Sequence, residues 1–248
     1  MSDFTAGLFQ RVAGRYDEAV PFFATFGRRL VEWAALAPGD QVLDLGAGAG
    51  AITIAASVAV GPAGSVVAGD LAPAMVARVE RLRLPNVVAR LLDARALDLP
   101  DQSFDSVLAG FVLHTLPDRV GALREVARVL RPGGAAVFST PGPSDDGGWW
   151  RSYGEIFAGF AARVPVPEGM RGDPRSWEEL AGEADLQVVA HTEVELSLPI
   201  AGPEAHWRWL LSHGNRWLYD ALGESDRRAF KASVLTSLHD VHPAQGRR

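Results

Sequence analysis

Asp44, Gly46, Gly48 and Gly50 fall in one short run, VLDLGAGAG at Val42–Gly50, and two further aspartates follow at the ends of apolar stretches. Asp70 closes Ser65–Gly69, and Asp93 closes Val87–Leu92. Glycine tolerates positive φ and lets a ligand approach the backbone with no Cβ in the way. A carboxylate at Asp44 suits an ammonium group, directly or through water, and would repel a pyrophosphate. Asp70 is placed for a bidentate grip on two ribose hydroxyls. Asp93, followed by Ala94, is placed to accept from an exocyclic adenine amine. Together the three acids describe a ligand with an amine, a ribose and an adenine, and no phosphate.

The same glycines also satisfy a dinucleotide pattern, because Gly46–Ala51 reads GAGAGA and fits G-x-G-x-x-G/A. An NAD(P)-dependent oxidoreductase is therefore the enzyme-class alternative. Asp44 speaks against it, as does the absence of a Tyr-x-x-x-Lys pair. A non-catalytic module that keeps an adenosyl-cofactor pocket is the second alternative.

These residues need a scaffold that delivers strand ends to one edge. From about Gln41 to Thr140, short apolar runs alternate with helical patterns, which predicts βαβ units and a parallel sheet. The predicted strands are Gln41–Leu45, Ser65–Gly69, Val87–Leu92, Phe104–Gly110 and Ala135–Thr140. Helices are predicted at Ala51–Val60, at Pro73–Leu82 with proline suited to a first turn, and at Arg119–Leu130, stopped by Arg131-Pro132-Gly133-Gly134. A sixth strand is expected at Leu186–Ala190; a seventh would be Val194–Leu198 or come after Ser237, or is missing. Outside this core, Phe4–Leu36, Trp149–Val164, Glu204–Leu222 and Ser225–His239 read as helical. Ser176–Ala184 reads as a helix with a capping box, Ser176 to Glu179. The fold class expected is a Rossmann-like doubly wound, mostly parallel α/β sheet with an added helical cap. Its parts would be an N-terminal cap segment at 1–36, a cofactor-binding core at 37–140, and cap helices plus a last core helix and sixth strand at 141–248.

With the order of motifs laid out, the chain resembles the class I S-adenosylmethionine-dependent methyltransferases over about Val42–Thr140. VLDLGAGAG looks like their glycine motif, VVAGD their acidic second-strand end and LLDA their adenine contact. FDSVLAGFVLHTLPD followed by REVARVLRPGG resembles their fourth- and fifth-strand motifs. RVAGRYDEAVPFF and the VLHTLP run look most like the small-molecule subgroup that methylates ubiquinone and menaquinone precursors and many natural products. The resemblance implies S-adenosyl-L-methionine as cofactor and S-adenosyl-L-homocysteine as product. It implies that Gly46, Ala47, Gly48 and Gly50, with Asp44, lie against the methionine portion and ribose. Asp70 would hold the ribose, Leu71 and Met75 would lie beside the adenine, and Asp93 and Ala94 would meet its amine and ring nitrogen. Phe111 would lie near the methionine chain or sulfonium, and Tyr16 would close over the same pocket.

Methyl transfer from a sulfonium is an in-line displacement in which alignment and exclusion of water matter most. An acidic nucleophile also needs a base. His114, within FVLHTLP after the fourth strand, is the best single candidate, with Tyr16, His206 or His213 as bases elsewhere; the plainer reading makes it a structural residue at a helix start. His206, Leu210, His213 and Trp217 are spaced by four, three and four, one face of a helix. That face either lines an acceptor pocket or docks an amphipathic helix on the core. Trp149, paired with Trp150 after a Gly-rich loop, is either a lid over substrate or a buried anchor. Arg163, Arg171 and Arg175 read as solvated, His239 and His242 as tail residues. His206, His213 and His114 lack the carboxylate and HExxH pattern of a metal site, so no metal is expected.

The bulk numbers are compatible. The 248 residues are 48% hydrophobic and 22% charged, an ordinary globular composition, and net charge is −6, against non-specific grip on nucleic-acid phosphates. There are no cysteines, which removes disulfides and thiolate chemistry. No signal-like leader or bilayer-length apolar run stands out. The expected setting is cytoplasmic, the expected partner a small-molecule acceptor, partly apolar, and the expected state a monomer or homodimer.

Overall fold

The computed structural model describes residues 3–16, 20–142, 148–167, 173–196 and 198–238. The chain runs through α1 (Asp3–Val12), α2 (Phe22–Ala34), β1 (Gln41–Leu45), α3 (Ala51–Val60), β2 (Ser65–Asp70), α4 (Pro73–Arg81), β3 (Val87–Leu91) and β4 (Phe104–Gly110). It continues through α5 (Arg119–Val129), β5 (Leu130–Ser139), α6 (Trp149–Ala161), α7 (Trp177–Gly182), α8 (Pro203–Leu210), α9 (Arg216–Ala221) and α10 (Glu224–Ser237). Two compact units result: Met1–Gly14, Phe22–Thr140 and Pro167–Leu196 form one, and Arg15–Pro21, Pro141–Val166 and Ser197–Arg248 the other. Among the described residues, no helix is long and apolar enough to cross a membrane. Arg171, His239 and His242 lie outside the described residues.

In the first unit the apolar runs become a five-stranded sheet ordered β3-β2-β1-β4-β5, every pairing parallel. A parallel sheet is covered on both faces, so its central strands are apolar throughout. In β1, Val42, Leu43, Asp44 and Leu45 are all buried. Side chains alternate between faces. Val42, Val66 and Leu108 meet Leu30 and Val31 of α2 and Ile52, Ala56 and Val60 of α3. On the other face Leu43, Leu45, Val107 and Ala109 meet Val120, Leu123 and Val126 of α5 and Leu180 of α7. Each fully buried aliphatic side chain of this kind contributes about 1.5–3 kcal/mol by its removal from water.

Local sequence sets the boundaries. Pro73 occupies the first turn of α4, where its missing N–H costs nothing. Asp118 caps α5 by accepting from the Gly121 amide at 2.8 Å. Ser176 and Glu179 form the predicted capping box of α7, at 3.2 and 2.7 Å. Helix α2 crosses the start of α3 at Gly27, where a Cβ would stand 3.0 Å from the Ala51 carbonyl carbon.

Three expectations are corrected. Strand β5 begins at Leu130, before the Arg-Pro-Gly-Gly run rather than after it: Leu130 pairs with Phe104, the register shifts, and Ala135–Ser139 pair with Ser106–Gly110. The expected sixth strand at Leu186–Ala190, and the seventh at Val194–Leu198, do not form among the described residues, and the sheet has five strands. Leu186 packs against the buried cluster on the α5 side of the sheet, but Val189 is 88% exposed and no strand pairs with the segment among the described residues; a short strand gains little without a ladder partner. The single helix expected over Glu204–Leu222 is two, α8 and α9, separated by Leu211–Asn215. There the Ser212 hydroxyl donates to the Trp209 carbonyl at 2.7 Å, and Gly214 lowers helix propensity.

The second unit is built on aromatic packing. Phe160 and Trp207 both meet Phe230, with centroids 5.3 and 5.7 Å apart, and Phe157 meets Trp217 at 5.8 Å. The Arg227 guanidinium donates to the Tyr219 carbonyl at 2.8 Å and the Asp220 carbonyl at 2.6 Å, satisfying acceptors that the end of α9 leaves open.

Candidate functional site

The glycine run turns sharply where β1 ends. Gly46, Gly48 and Gly50 all hold positive φ, at 74°, 54° and 90°, the left-handed region in which side chains are strained. A Cβ at Gly46 would also overlap the Val112 side chain. The Gly46 and Ala47 amides donate to the Gly69 carbonyl at 2.7 and 2.9 Å, folding the loop over the end of β2. Gly50 stands immediately before the first turn of α3. The loop thus sits at the carboxyl edge of the sheet, where open α/β folds take their ligands.

Asp44 is fully buried. The Thr53 hydroxyl donates to its Oδ2 at 2.5 Å, while Oδ1 is buried with no hydrogen-bond partner among the described residues. Burial pushes its carboxyl up to about 7, against the Thr53 bond and with a smaller push from Asp70. Such an atom is costly unless something charged or polar meets it. Asp70 is also buried and is bound to the loop: Oδ2 accepts from the Gly48 amide at 2.9 Å and Oδ1 from the Ala72 amide at 2.8 Å. Burial raises its carboxyl above the ordinary range while those amides oppose the shift.

Asp93 follows β3 in a different setting. Arg95 grips both its oxygens, Nε to Oδ1 at 3.1 Å and Nη2 to Oδ2 at 2.7 Å, and holds the carboxyl well below the usual range. Ala94 is buried beside it, Met75 is buried in α4, and Leu71 is half-buried. Phe111, just past β4, is left-handed at φ 55°. Its ring lies 5.6, 6.0 and 5.3 Å from those of Phe22, Phe23 and Phe26 on α2.

His114 sits on a 3-10 turn, Leu113–Thr115. Its Nδ1 is buried and has no hydrogen-bond partner among the described residues. Burial, with help from the nearby Arg119 charge, lowers the imidazole to about 4 and keeps it neutral at neutral pH. Asp44, the glycines, Asp70, Leu71, Met75, Asp93, Ala94, Phe111 and His114 therefore all belong to the sheet unit.

Tyr16, Trp149, His206, His213 and Trp217 belong to the other unit. Trp149 is stacked on Tyr153 at 5.1 Å, lies 4.4 Å from the His206 ring and donates to the Ser237 hydroxyl at 2.9 Å. Trp209 links His206 and His213, at 5.5 and 5.1 Å. His213 is half-buried, and the loss of solvent around its ring lowers its imidazole to about 4. Trp149, His206 and Trp217 are buried packing residues here, and the break after α8 takes His213 and Trp217 off the helix that carries His206. No cluster of three or more His, Asp or Glu able to hold a metal occurs among the described residues.

Sequence reasoning missed Thr53, the partner of Asp44, although its polar side chain in an otherwise apolar helix start was the available signal. It also missed the three phenylalanines around Phe111 and the buried Arg119, discussed below.

Comparison with known proteins places the chain in a family. Residues 43–138 match the family described as a methyltransferase domain. The chain is 32% identical to nocamycin O-methyltransferase of Saccharothrix syringae, over 96% of this chain and 92% of that protein. It is 37% identical to the ubiquinone/menaquinone biosynthesis C-methyltransferase UbiE of Shewanella frigidimarina, over 56% of this chain and 61% of that protein. Among solved structures, the YcgJ protein of Bacillus subtilis has the same fold, with a TM-score of 0.55 and 22% identity, over 83% of this chain and 88% of that one.

Proposed function

The chain belongs to the S-adenosylmethionine-dependent methyltransferases, and we propose that it methylates a small, partly apolar acceptor. The observation that carries the site reading is the buried Asp44 Oδ1, without a partner among the described residues and beside three left-handed glycines. A ligand ammonium would offset the cost of that carboxylate, and a ligand of this class carries one on its amino-acid tail. Asp44 would bind that ammonium, while the backbone of Gly46, Ala47, Gly48 and Gly50 follows the methionine portion. Asp70 would hold the ribose hydroxyls. Leu71 and Met75 would flank the adenine, and Asp93 with Ala94 would meet its edge. Phe111 would offer an aromatic face to the sulfonium, a favourable pairing for a cation.

Bound S-adenosylmethionine supplies a methyl group already activated on positive sulfur, and S-adenosylhomocysteine remains. The protein's part is alignment, exclusion of water and handling of one proton. His114 would take the acceptor's proton as the new bond forms: it is neutral at neutral pH, and the burial that keeps it so also makes it a weak base, suited to a proton already acidic in the acceptor. The relatives' names support the acceptor class: one is named a nocamycin O-methyltransferase, the other a ubiquinone/menaquinone biosynthesis C-methyltransferase.

Calorimetry with S-adenosylmethionine, S-adenosylhomocysteine and NAD tests the donor site. The first two are expected to bind and NAD is not; binding of NAD alone would overturn the reading. Label from methyl-labelled cofactor should enter small phenolic or quinol acceptors, and His114→Gln should slow that transfer at unchanged S-adenosylhomocysteine affinity. Label entering only protein or nucleic acid would remove the small-molecule acceptor.

A further inference from the structure

Arg119 is 7% exposed and opens α5, directly after its capping residue. Both circumstances are unfavourable for a cation. Burying a guanidinium costs free energy unless it is paired, and the first turn of a helix is its positive end. The surroundings repay this. Nη2 donates to the His114 carbonyl at 2.6 Å, Nη1 stands 3.7 Å from Asp173 Oδ2, and the guanidinium carbon lies 6.0 Å from the centre of the Trp177 ring. Asp173 is itself held: Arg175 donates to it through Nε at 3.0 Å and Nη2 at 2.8 Å, and through Nη1 reaches Glu183 at 3.0 and 3.2 Å. Trp177 rests on Phe138, 5.0 Å between centroids. A line of alternating charge thus runs from α7 through Glu183, Arg175, Asp173 and Arg119 to the backbone of the turn that carries His114.

We propose that Arg119 is a positioning residue: tethered by Asp173, it fixes the His114 turn and so the direction from which the imidazole meets the acceptor. The proposal rests on the reading of His114 as the proton acceptor. The fork matters as well as the charge. A planar guanidinium reaches a carbonyl and a carboxylate at once, which a lysine ammonium on a flexible stem does poorly. The turn it braces is otherwise held by short-range bonds: the Thr115 amide and hydroxyl donate to the Val112 carbonyl at 2.8 and 2.7 Å, and the Leu116 amide to the Leu113 carbonyl at 3.2 Å.

The test needs no acceptor. The His114 ring is followed by NMR against pH in the full chain, its signal assigned by loss in His114→Gln. Arg119→Gln is expected to raise the His114 midpoint by about half a unit or more, since a nearby positive charge disfavours imidazolium. Arg119→Lys should restore most of it, and S-adenosylhomocysteine affinity should stay unchanged in both. Asp173→Asn, outside the turn, should speed hydrogen exchange of the Thr115 and Leu116 amides several-fold. A folded Arg119→Gln with an unmoved midpoint overturns the proposal, and so does unchanged exchange in Asp173→Asn if Arg119→Gln fails to fold. The underlying reading fails separately: full methyl transfer by His114→Gln removes the proton-acceptor role, whatever the tether does.

Discussion

Asp44 and Asp93 are the same residue at equivalent points, each at the carboxyl end of a parallel strand, and the protein treats them in opposite ways. Asp44 ends β1, the centre of the sheet, where it is fully buried with a hydroxyl as its protein partner, and its carboxyl is pushed up to about 7. Asp93 follows β3, the edge, where it is half-buried and clasped by Arg95. The difference shows that place in the sheet, rather than residue type, decides which acid has its charge already balanced by the protein and which keeps a buried oxygen with no partner among the described residues. Asp70, on the strand between them, is buried like Asp44 but satisfied by backbone amides.

Substitutions at the three positions should separate these roles. The largest effect is expected at Asp70, because it would hold two ligand hydroxyls and also braces the loop. Two charge-assisted hydrogen bonds are worth roughly 3 kcal/mol together, so Asp70→Ala should weaken S-adenosylhomocysteine by about 100-fold in calorimetry. An effect under threefold would remove Asp70 from the site.

Asp44→Asn comes next, with a loss of about tenfold if a single charged contact is forfeited. Its signature is pH. The folded pKa of Asp44 lies above its unfolded value, so the folded chain binds the extra proton between pH 3.8 and about 7. The free protein therefore loses stability from this group as pH rises through that window. Binding an ammonium favours the ionised form, so affinity should increase with pH up to about 7 and then level. Asp44→Asn should flatten both trends, read by calorimetry and by thermal melting; an unchanged slope in the variant would assign the titration elsewhere. At Asp93 the ligand would share a carboxylate already engaged by Arg95. Exposed pairs of this kind are worth about 1 kcal/mol or less, so Asp93→Asn should cost threefold or so in affinity. A loss equal to that at Asp70 would erase the contrast between centre and edge.

Much of this site was legible in the sequence because it is punctuation. Glycines and aspartates interrupt apolar runs where one period gives way to another, and Asp44, Gly46, Gly48, Gly50, Asp70 and Asp93 all end up at the sheet's carboxyl edge. What was hidden depends on distant partners. Arg119 looks like an ordinary charged helix residue until Asp173 and Trp177 are brought to it. The Phe111 ring acquires its neighbours only when α2 lies across β4. Failure also came from patterns that were present but unused. The apolar run at Leu186–Ala190 is real and Leu186 packs on the core, yet no strand pairs with it among the described residues. The spacing of His206, Leu210, His213 and Trp217 is helical, yet Ser212 and Gly214 end the helix partway along it.

The close seat of Gly27 on Ala51 bears on how far this protein can be trimmed. Leu30 and Val31 of α2 cover the same face of the sheet as α3, so the helix preceding β1 acts as a structural wall of the sheet unit. The recognisable stretch 43–138 is in that sense a signature and not a module. A fragment begun at β1 would present the Leu108 face to water, and it should bind a hydrophobic dye and melt without a sharp transition; a sharply melting, dye-free fragment would show α2 to be dispensable. Any minimal version for engineering has to start upstream of Phe22.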